Sequence, residues 1–240
     1  MKLKKLFRRK QKFPHCSVVI VAAGSSERMG SDKMLMTLGS KPVIIRTLMA
    51  FQQSPMVDDI VVVTRPEKIV AIADMIKLYD ISKVTQVISG GATRVESSLA
   101  GVSAVRKGAK LIAIHDGARP LVSQELIERV IQGANEHISA VPAIPSTDTL
   151  KMVDAEGVII GPVNRDTVVR VQTPQVFDAD IIKGALTKAV QKRLTVTDDC
   201  SAVDMMGFST YTVEGDTGNI KLTLPEDMVL AEAILKSRGE

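Results

Sequence analysis

Residues 18–33 read VVIVAAGSSERMGSDK, an apolar strand that runs into a loop of small residues carrying Arg28 and Lys33. Ala22, Ala23, Gly24, Ser25 and Ser26 put little side chain in the way, so backbone N–H groups can close on an anion. Arg28 and Lys33 bring mobile positive charge to where phosphate oxygens would lie. The chemistry this pattern serves is polyphosphate binding. It is not the common nucleoside triphosphatase loop, because G-x-x-x-x-G-K-[ST] is missing, and it is not the dinucleotide fingerprint, because G-x-G-x-x-G is missing too. An ordinary strand-to-helix loop with exposed charges has the same composition, so the stretch needs partners elsewhere in the chain.

Several segments offer them. Asp116 follows an apolar run and precedes Gly117, Ala118, Arg119 and Pro120. A carboxylate at a strand end suits Mg²⁺ shared with phosphate oxygens, and it suits equally a structural ion pair with Arg119. His115 reads as a structural histidine rather than a base. Gly90-Gly91-Ala92-Thr93-Arg94 opens a helix with free N–H groups, with Ser97 and Ser98 in its first turn. Thr149, Arg165 and Thr173 lie in or beside a polar stretch of turns. Thr197-Asp198-Asp199 begins a helix as a cap would. Lys221, between Ile220 and Leu222, precedes a helix that starts at Pro225.

The elements that must hold these groups alternate. Ser17–Val21, Ile60–Thr64, Val84–Ile88, Lys110–Ile114 and Ser139–Ile144 are apolar runs of strand length. Helical patterns separate them: one with Pro42 in its first turn, one over 67–79, one capped by Thr93 and reaching about Val105, and one capped by Ser123. Strands apolar on both faces with helices between them predict a mostly parallel α/β sheet covered on both sides. Ligands in such sheets collect at the carboxyl ends of the strands, where the first loop, Gly90-Gly91 and His115-Asp116 fall. The rhythm breaks over 145–177, where short β-like pieces at Thr149–Val153, Gly157–Ile160 and Val168–Val171 predict an excursion from the sheet. Helices near 178–191 and 198–205, a strand at Thr210–Val213 and a helix from Pro225 to about Lys236 complete the chain. One domain over 16–240 is the simplest organisation.

Composition narrows the partners. Aromatics are 3% of 240 residues, too few for base-stacking platforms, which argues against single-stranded nucleic acid as the main ligand. The net charge of +4 comes from seven Lys and Arg in residues 1–12; the remainder carries 24 basic against 27 acidic residues. Residues 1–15 therefore read as a basic, disordered and solvated tail, with anionic lipid or RNA as the alternative contact. No apolar run reaches the length of a membrane span or of a signal peptide core, which predicts a soluble cytoplasmic protein. Cys16 and Cys200 are too few and too far apart for a disulfide framework or a zinc site.

Taken in order, VAAGSSERMG, GGATRVES, HDGARP, STDTLK, QTPQVF, VTDD and NIKLT resemble the 2-C-methyl-D-erythritol 4-phosphate cytidylyltransferase family of the non-mevalonate isoprenoid pathway. The resemblance runs from about Ser17 to the end of the chain. It implies the nucleotide-diphospho-sugar transferase-like (Rossmann-like) α/β sandwich, with a β-arm at about 145–172 that joins a homodimer. It implies transfer of CMP from CTP to methylerythritol phosphate, with Mg²⁺ and release of pyrophosphate. On the matching positions, Arg28, Lys33 and Lys221 are the implied catalytic cations. Ala22, Ala23 and Gly91 (backbone) and Ser97 (side chain) are the cytosine contacts, with Gly24 in the same binding loop. Asp116 and Arg119 form the ribose and metal region, with Asp116 as the Mg²⁺ ligand. Thr149 and Arg165 are the methylerythritol phosphate contacts, with Thr173 and Thr197 nearby. A phosphate monoester is already ionised near neutral pH, so such a transfer needs positioning and charge neutralisation rather than a general base. The alternatives are a ribitol-5-phosphate cytidylyltransferase, a sugar-1-phosphate nucleotidylyltransferase using another base, and a non-catalytic nucleotide-binding protein.

Overall fold

The computed structural model describes residues 15–24 and 33–240. The basic tail up to residue 14 and the loop segment 25–32, with Arg28, lie outside the described residues. In chain order the elements are β1 (Cys16–Val21), a small hairpin of β2 (Thr37–Leu38) and β3 (Lys41–Pro42), α1 (Val43–Gln53), β4 (Val57–Thr64), α2 (Ile69–Leu78), β5 (Val84–Ser89), α3 (Arg94–Ala104), β6 (Leu111–Asp116), α4 (Gln124–His137) and β7 (Ser139–Pro145). There follow β8 (Lys151–Val153), β9 (Ile159–Pro162), β10 (Val169–Val171), β11 (Gln175–Asp178), α5 (Ala179–Gln191), α6 (Asp199–Asp204), β12 (Tyr211–Glu214) and α7 (Pro225–Ser237).

Among the described residues the main sheet has eight strands. Parallel pairing runs β5-β4-β1-β6, β11 then lies antiparallel between β6 and β7, and β12 runs parallel along β7. Alternation across the strands explains both cores. Val18, Ile20, Ile60, Val62, Leu111 and Ala113 face α1, α2, α4 and α7. Val19, Val61, Val63, Ile112 and Ile114 face α3, α5 and α6 on the other side. Gly101 shows how closely α3 approaches the sheet: a Cβ there would fall 2.2 Å from Val19 Cγ1 and 2.8 Å from Val63 Cγ2.

The structure differs from the sequence expectations in local ways. Gln175–Asp178 is a strand, although its polar ends and the Pro174 before it hide it from pattern; it is buried because β6 and β7 flank it. Pro42 is not in the first turn of α1 but at its N-cap, with extended backbone. The helix expected over 67–79 opens as a 3₁₀ turn at Pro66–Lys68. Of the three β pieces in the excursion, β8 and β9 pair only with each other, whereas β10 adds to the main sheet against β7.

Candidate active site

The carboxyl ends of β1, β4, β5 and β6 are tied together through the backbone. Ala22 N donates to Val63 O at 2.7 Å, Gly90 N to Thr64 O at 2.8 Å and Gly117 N to Val21 O at 2.9 Å. The loops after β1 and β5 therefore meet. A Cβ at Gly90 would come within 2.8 Å of Ala23 Cβ and 2.6 Å of Ser97 Oγ, so only glycine lets the two backbones approach. Ser97 is buried, and its hydroxyl accepts from Gly91 N at 3.2 Å and donates to Thr93 O at 2.9 Å. It thus holds the Gly91 backbone in place. Thr93 caps α3 reciprocally with Glu96, through bonds of 3.2 and 3.0 Å.

Asp116, the last residue of β6, is 8% exposed and faces three cations. Lys221 Nζ lies 2.8 Å from Oδ2, Arg94 Nη2 3.6 Å from Oδ1 and Arg119 Nε 3.7 Å from Oδ2. Burial alone would raise the carboxyl pKa; Lys221 first, then Arg94 and Arg119, hold it well below the usual carboxylate range. The carboxylate is therefore ionised at neutral pH. From below, Thr173 Oγ1 accepts from Asp116 N at 3.1 Å and meets His115 Nδ1 at 3.0 Å. His115 is fully buried, with Nε2 3.1 Å from Arg119 O, and burial pulls its pKa down to about 4. It is a neutral structural group, as its sequence context implied.

Arg94 received no role in the sequence reading, although it is central. Its Nη2 lies 2.6 Å from Asp199 Oδ2 as well as near Asp116, so it links α6 to β6. Burial works against its charge, but Asp199 and then Asp116 and Asp198 raise its pKa. One signal was available: a cation in the first turn of a helix opposes the helix dipole and needs a carboxylate partner. Asn219 was also missed. It is buried, its side chain donates to Thr173 O at 2.8 Å, and its carbonyl accepts from Arg119 Nη1 at 2.7 Å. Arg119 Nε and Asn219 Oδ1 are buried polar atoms without a hydrogen-bond partner among the described residues.

The structure thus gathers Ala22, Ala23, Gly91, Ser97, Asp116, Arg119, Thr173 and Lys221 around one set of strand ends. Gly24 stands exposed at the edge of the described part of its loop. Lys33 is half-buried; at the start of α7 burial works to raise the Asp227 pKa, and hydrogen bonds from Leu224 and Thr223, then Lys33, bring it below the usual value. Thr197 is exposed, 2.9 Å from Ser201 Oγ. Thr149 and Arg165 are exposed on the β8–β9 excursion, and no hydrogen bond or ion pair joins them to the Asp116 cluster among the described residues. No group of three His, Cys, Asp or Glu that could hold a metal occurs among the described residues. A single carboxylate fits Mg²⁺ bound jointly with substrate phosphates, not a cage made by protein alone.

A mostly parallel sheet whose strand ends carry clustered cations, open backbone loops and one ionised carboxylate defines an α/β protein of the nucleotidyltransferase class. The family model described as "2-C-methyl-D-erythritol 4-phosphate cytidylyltransferase" matches residues 16–237, and the chain belongs to that family. It is 39% identical over 224 residues to the protein of that name from Halalkalibacterium halodurans, covering 92% of this chain and 97% of that one. Its likeness to the protein of that name from Dehalococcoides mccartyi is 41% over 219 residues, covering 91% and 95%. The crystal structure of 4-diphosphocytidyl-2C-methyl-D-erythritol synthase from Anaerococcus prevotii superposes with a TM-score of 0.84 at 30% identity, covering 93% of this chain and 99% of that one.

Proposed function

We propose that the protein transfers CMP from CTP to 2-C-methyl-D-erythritol 4-phosphate, releasing pyrophosphate, in isoprenoid precursor biosynthesis. The observation that carries this reading is the convergence of Lys221, Arg94 and Arg119 on Asp116 beside the Ala23 and Gly90-Gly91 backbones. Two anionic reactants must meet, and negative charge must be absorbed at the reacting phosphorus. Cations already gathered at the site do both with little reorganisation. Lys221 is 41% exposed, so its ammonium can leave Asp116 for a phosphate oxygen. Arg28 and Lys33 would hold the triphosphate. Ala22, Ala23, Gly24 and Gly91 would offer backbone groups to the nucleotide, with Ser97 fixing the last of these. His115 stays neutral and supplies no base, in keeping with a nucleophile that is already ionised.

Asp116 would hold Mg²⁺, which neutralises phosphate charge when bound. The β8–β9 hairpin exposes Met152, Val153, Val158, Ile159 and Ile160, an apolar surface unusual for so small a sheet. It would pair with a second copy of this chain and bring Thr149, Arg165 and Thr197 to a shared methylerythritol phosphate site. No helix among the described residues is long and apolar enough to cross a membrane; a cytoplasmic location is part of the proposal. The test is pyrophosphate release with CTP and methylerythritol phosphate, run beside ribitol 5-phosphate and beside UTP and GTP. Turnover only with the first pair is expected. Preference for ribitol 5-phosphate or another nucleotide, or CTP binding without turnover, would overturn the reading.

A further inference from the structure

Arg119 and Lys221 come from segments far apart in sequence, yet both must meet Asp116. The segments are joined by two hydrogen bonds, Leu222 N to Ala118 O at 2.8 Å and Arg119 Nη1 to Asn219 O at 2.7 Å. A further connection comes from Arg238, just past α7. Its Nη1 donates to Leu121 O at 2.8 Å, and its Nη2 lies 3.3 Å from Asp216 Oδ2. Leu121 follows Arg119 by two residues. Asp216 organises the turn before Lys221: Oδ1 accepts from Gly218 N at 2.7 Å, and its carbonyl accepts from Asn219 N at 3.0 Å and Gln172 Nε2 at 2.8 Å.

A basic residue after a helix commonly serves only the carbonyls of its own last turn. Here the backbone N–H of Arg238 does that, bonding Ile234 O and Leu235 O. The guanidinium instead reaches a carbonyl 117 residues away. It does so from the wall of an open cavity of about 650 Å³ between α1, the 120–125 turn and α7, which none of Arg94, Asp116, Arg119 and Lys221 lines.

We infer that Arg238 is a positioning residue for the transfer reaction: its fork clamps the 216–222 segment onto the 119–121 segment so that Lys221 is aimed at the Asp116 site. The inference rests on the proposed transferase activity. No hydrogen bond or ion pair joins the Arg238 side chain to Asp116, Arg94, Arg119 or Lys221 among the described residues. A planar fork can hold both segments at once, whereas an ammonium is a single point charge. A misplacement of about 1 Å can cost on the order of 100-fold in rate, so Arg238→Met should lower kcat roughly 10–100-fold. Arg238→Lys should recover part of this.

The discriminating experiment is a double-mutant cycle on kcat with Lys221→Met, using the full-length chain, CTP and methylerythritol phosphate. Wild-type turnover is measured first, so failure of the functional reading shows there and not in the variants. If Arg238 acts by aiming Lys221, Arg238→Met costs less than about 3-fold in the Lys221→Met background. A merely structural role would lower both backgrounds equally. Should Arg238→Met fail to fold, Asp216→Asn loosens the other end of the same clamp and enters the same cycle. Additive losses, or a folded Arg238→Met or Asp216→Asn enzyme with wild-type kcat, overturn the inference.

Discussion

Asp116→Asn removes one negative charge and almost no volume, and it keeps the backbone bond from Asp116 N to Thr173. Its cost follows from which of the three cations lose their only counter-charge. Lys221 is 41% exposed, so solvent takes over and the loss is within about 1 kcal/mol. Arg94 keeps Asp199 at 2.6 Å. Arg119 is the stranded group: its side chain is 12% exposed, and with Asp116 gone it keeps the Asn219 carbonyl and no counter-charge among the described residues. Breaking a tight buried pair costs about 3–5 kcal/mol, and this one is 3.7 Å apart and half-compensated, so roughly 2–3 kcal/mol is expected in all. For a chain of this size that lowers Tm by about 4–12 °C. The assay is thermal unfolding followed by circular dichroism at low ionic strength. Because the folded carboxyl pKa lies below its unfolded value of about 3.9, the stabilisation is complete above that pH and disappears as pH falls through the folded value. The gap between wild type and variant should therefore persist from pH 7 to about 5, begin to narrow below about 4 and vanish only as pH reaches the much lower folded value. A variant melting within about 1 °C of wild type at pH 7 would refute the claim that Asp116 is the electrostatic keystone of the cluster.

Lys221→Met should leave Tm nearly unchanged and lower kcat about 10²–10³-fold, as expected for one preorganised cationic donor; steady-state pyrophosphate release measures it. Below about pH 6.5 the unfolded chain gains a proton on His115 that the fold refuses down to about pH 4, so stability should decline across that window by up to roughly 3 kcal/mol. Denaturant titrations of wild type and His115→Gln at pH 7 and pH 5 test this, and the variant should lose that part of the slope. Gly101→Ala forces a methyl against Val19 and Val63 in the core under α3, so a loss of about 1–3 kcal/mol should appear in the same titrations. In EDTA, pyrophosphate should bind Asp116→Asn at least as tightly as wild type, and added Mg²⁺ should strengthen binding only in wild type; calorimetry separates metal holding from charge repulsion.

Much of the fold was readable because its main strands are short runs of Val and Ile between helices whose starts carry Thr93, Ser123 and Asp198 as caps. β11 was not readable. Its burial comes from neighbours on both edges, not from any pattern in Gln175–Asp178. Asp116 and Lys221 stood out by residue type and place in the chain. Arg94 did not, since its two carboxylates are reached only through the sheet.

The polypeptide's order of apolar runs and caps by itself determined a covered, mostly parallel sheet, and its loop residues raised the expectation of phosphate binding at the strand ends. Only the tertiary structure decided which charges share a carboxylate. Arg94 and Asp199 are 105 residues apart, and Arg119 and Asn219 100. Coulomb energy depends on distance in space, and strand order, with β11 inserted between β6 and β7, sets those distances.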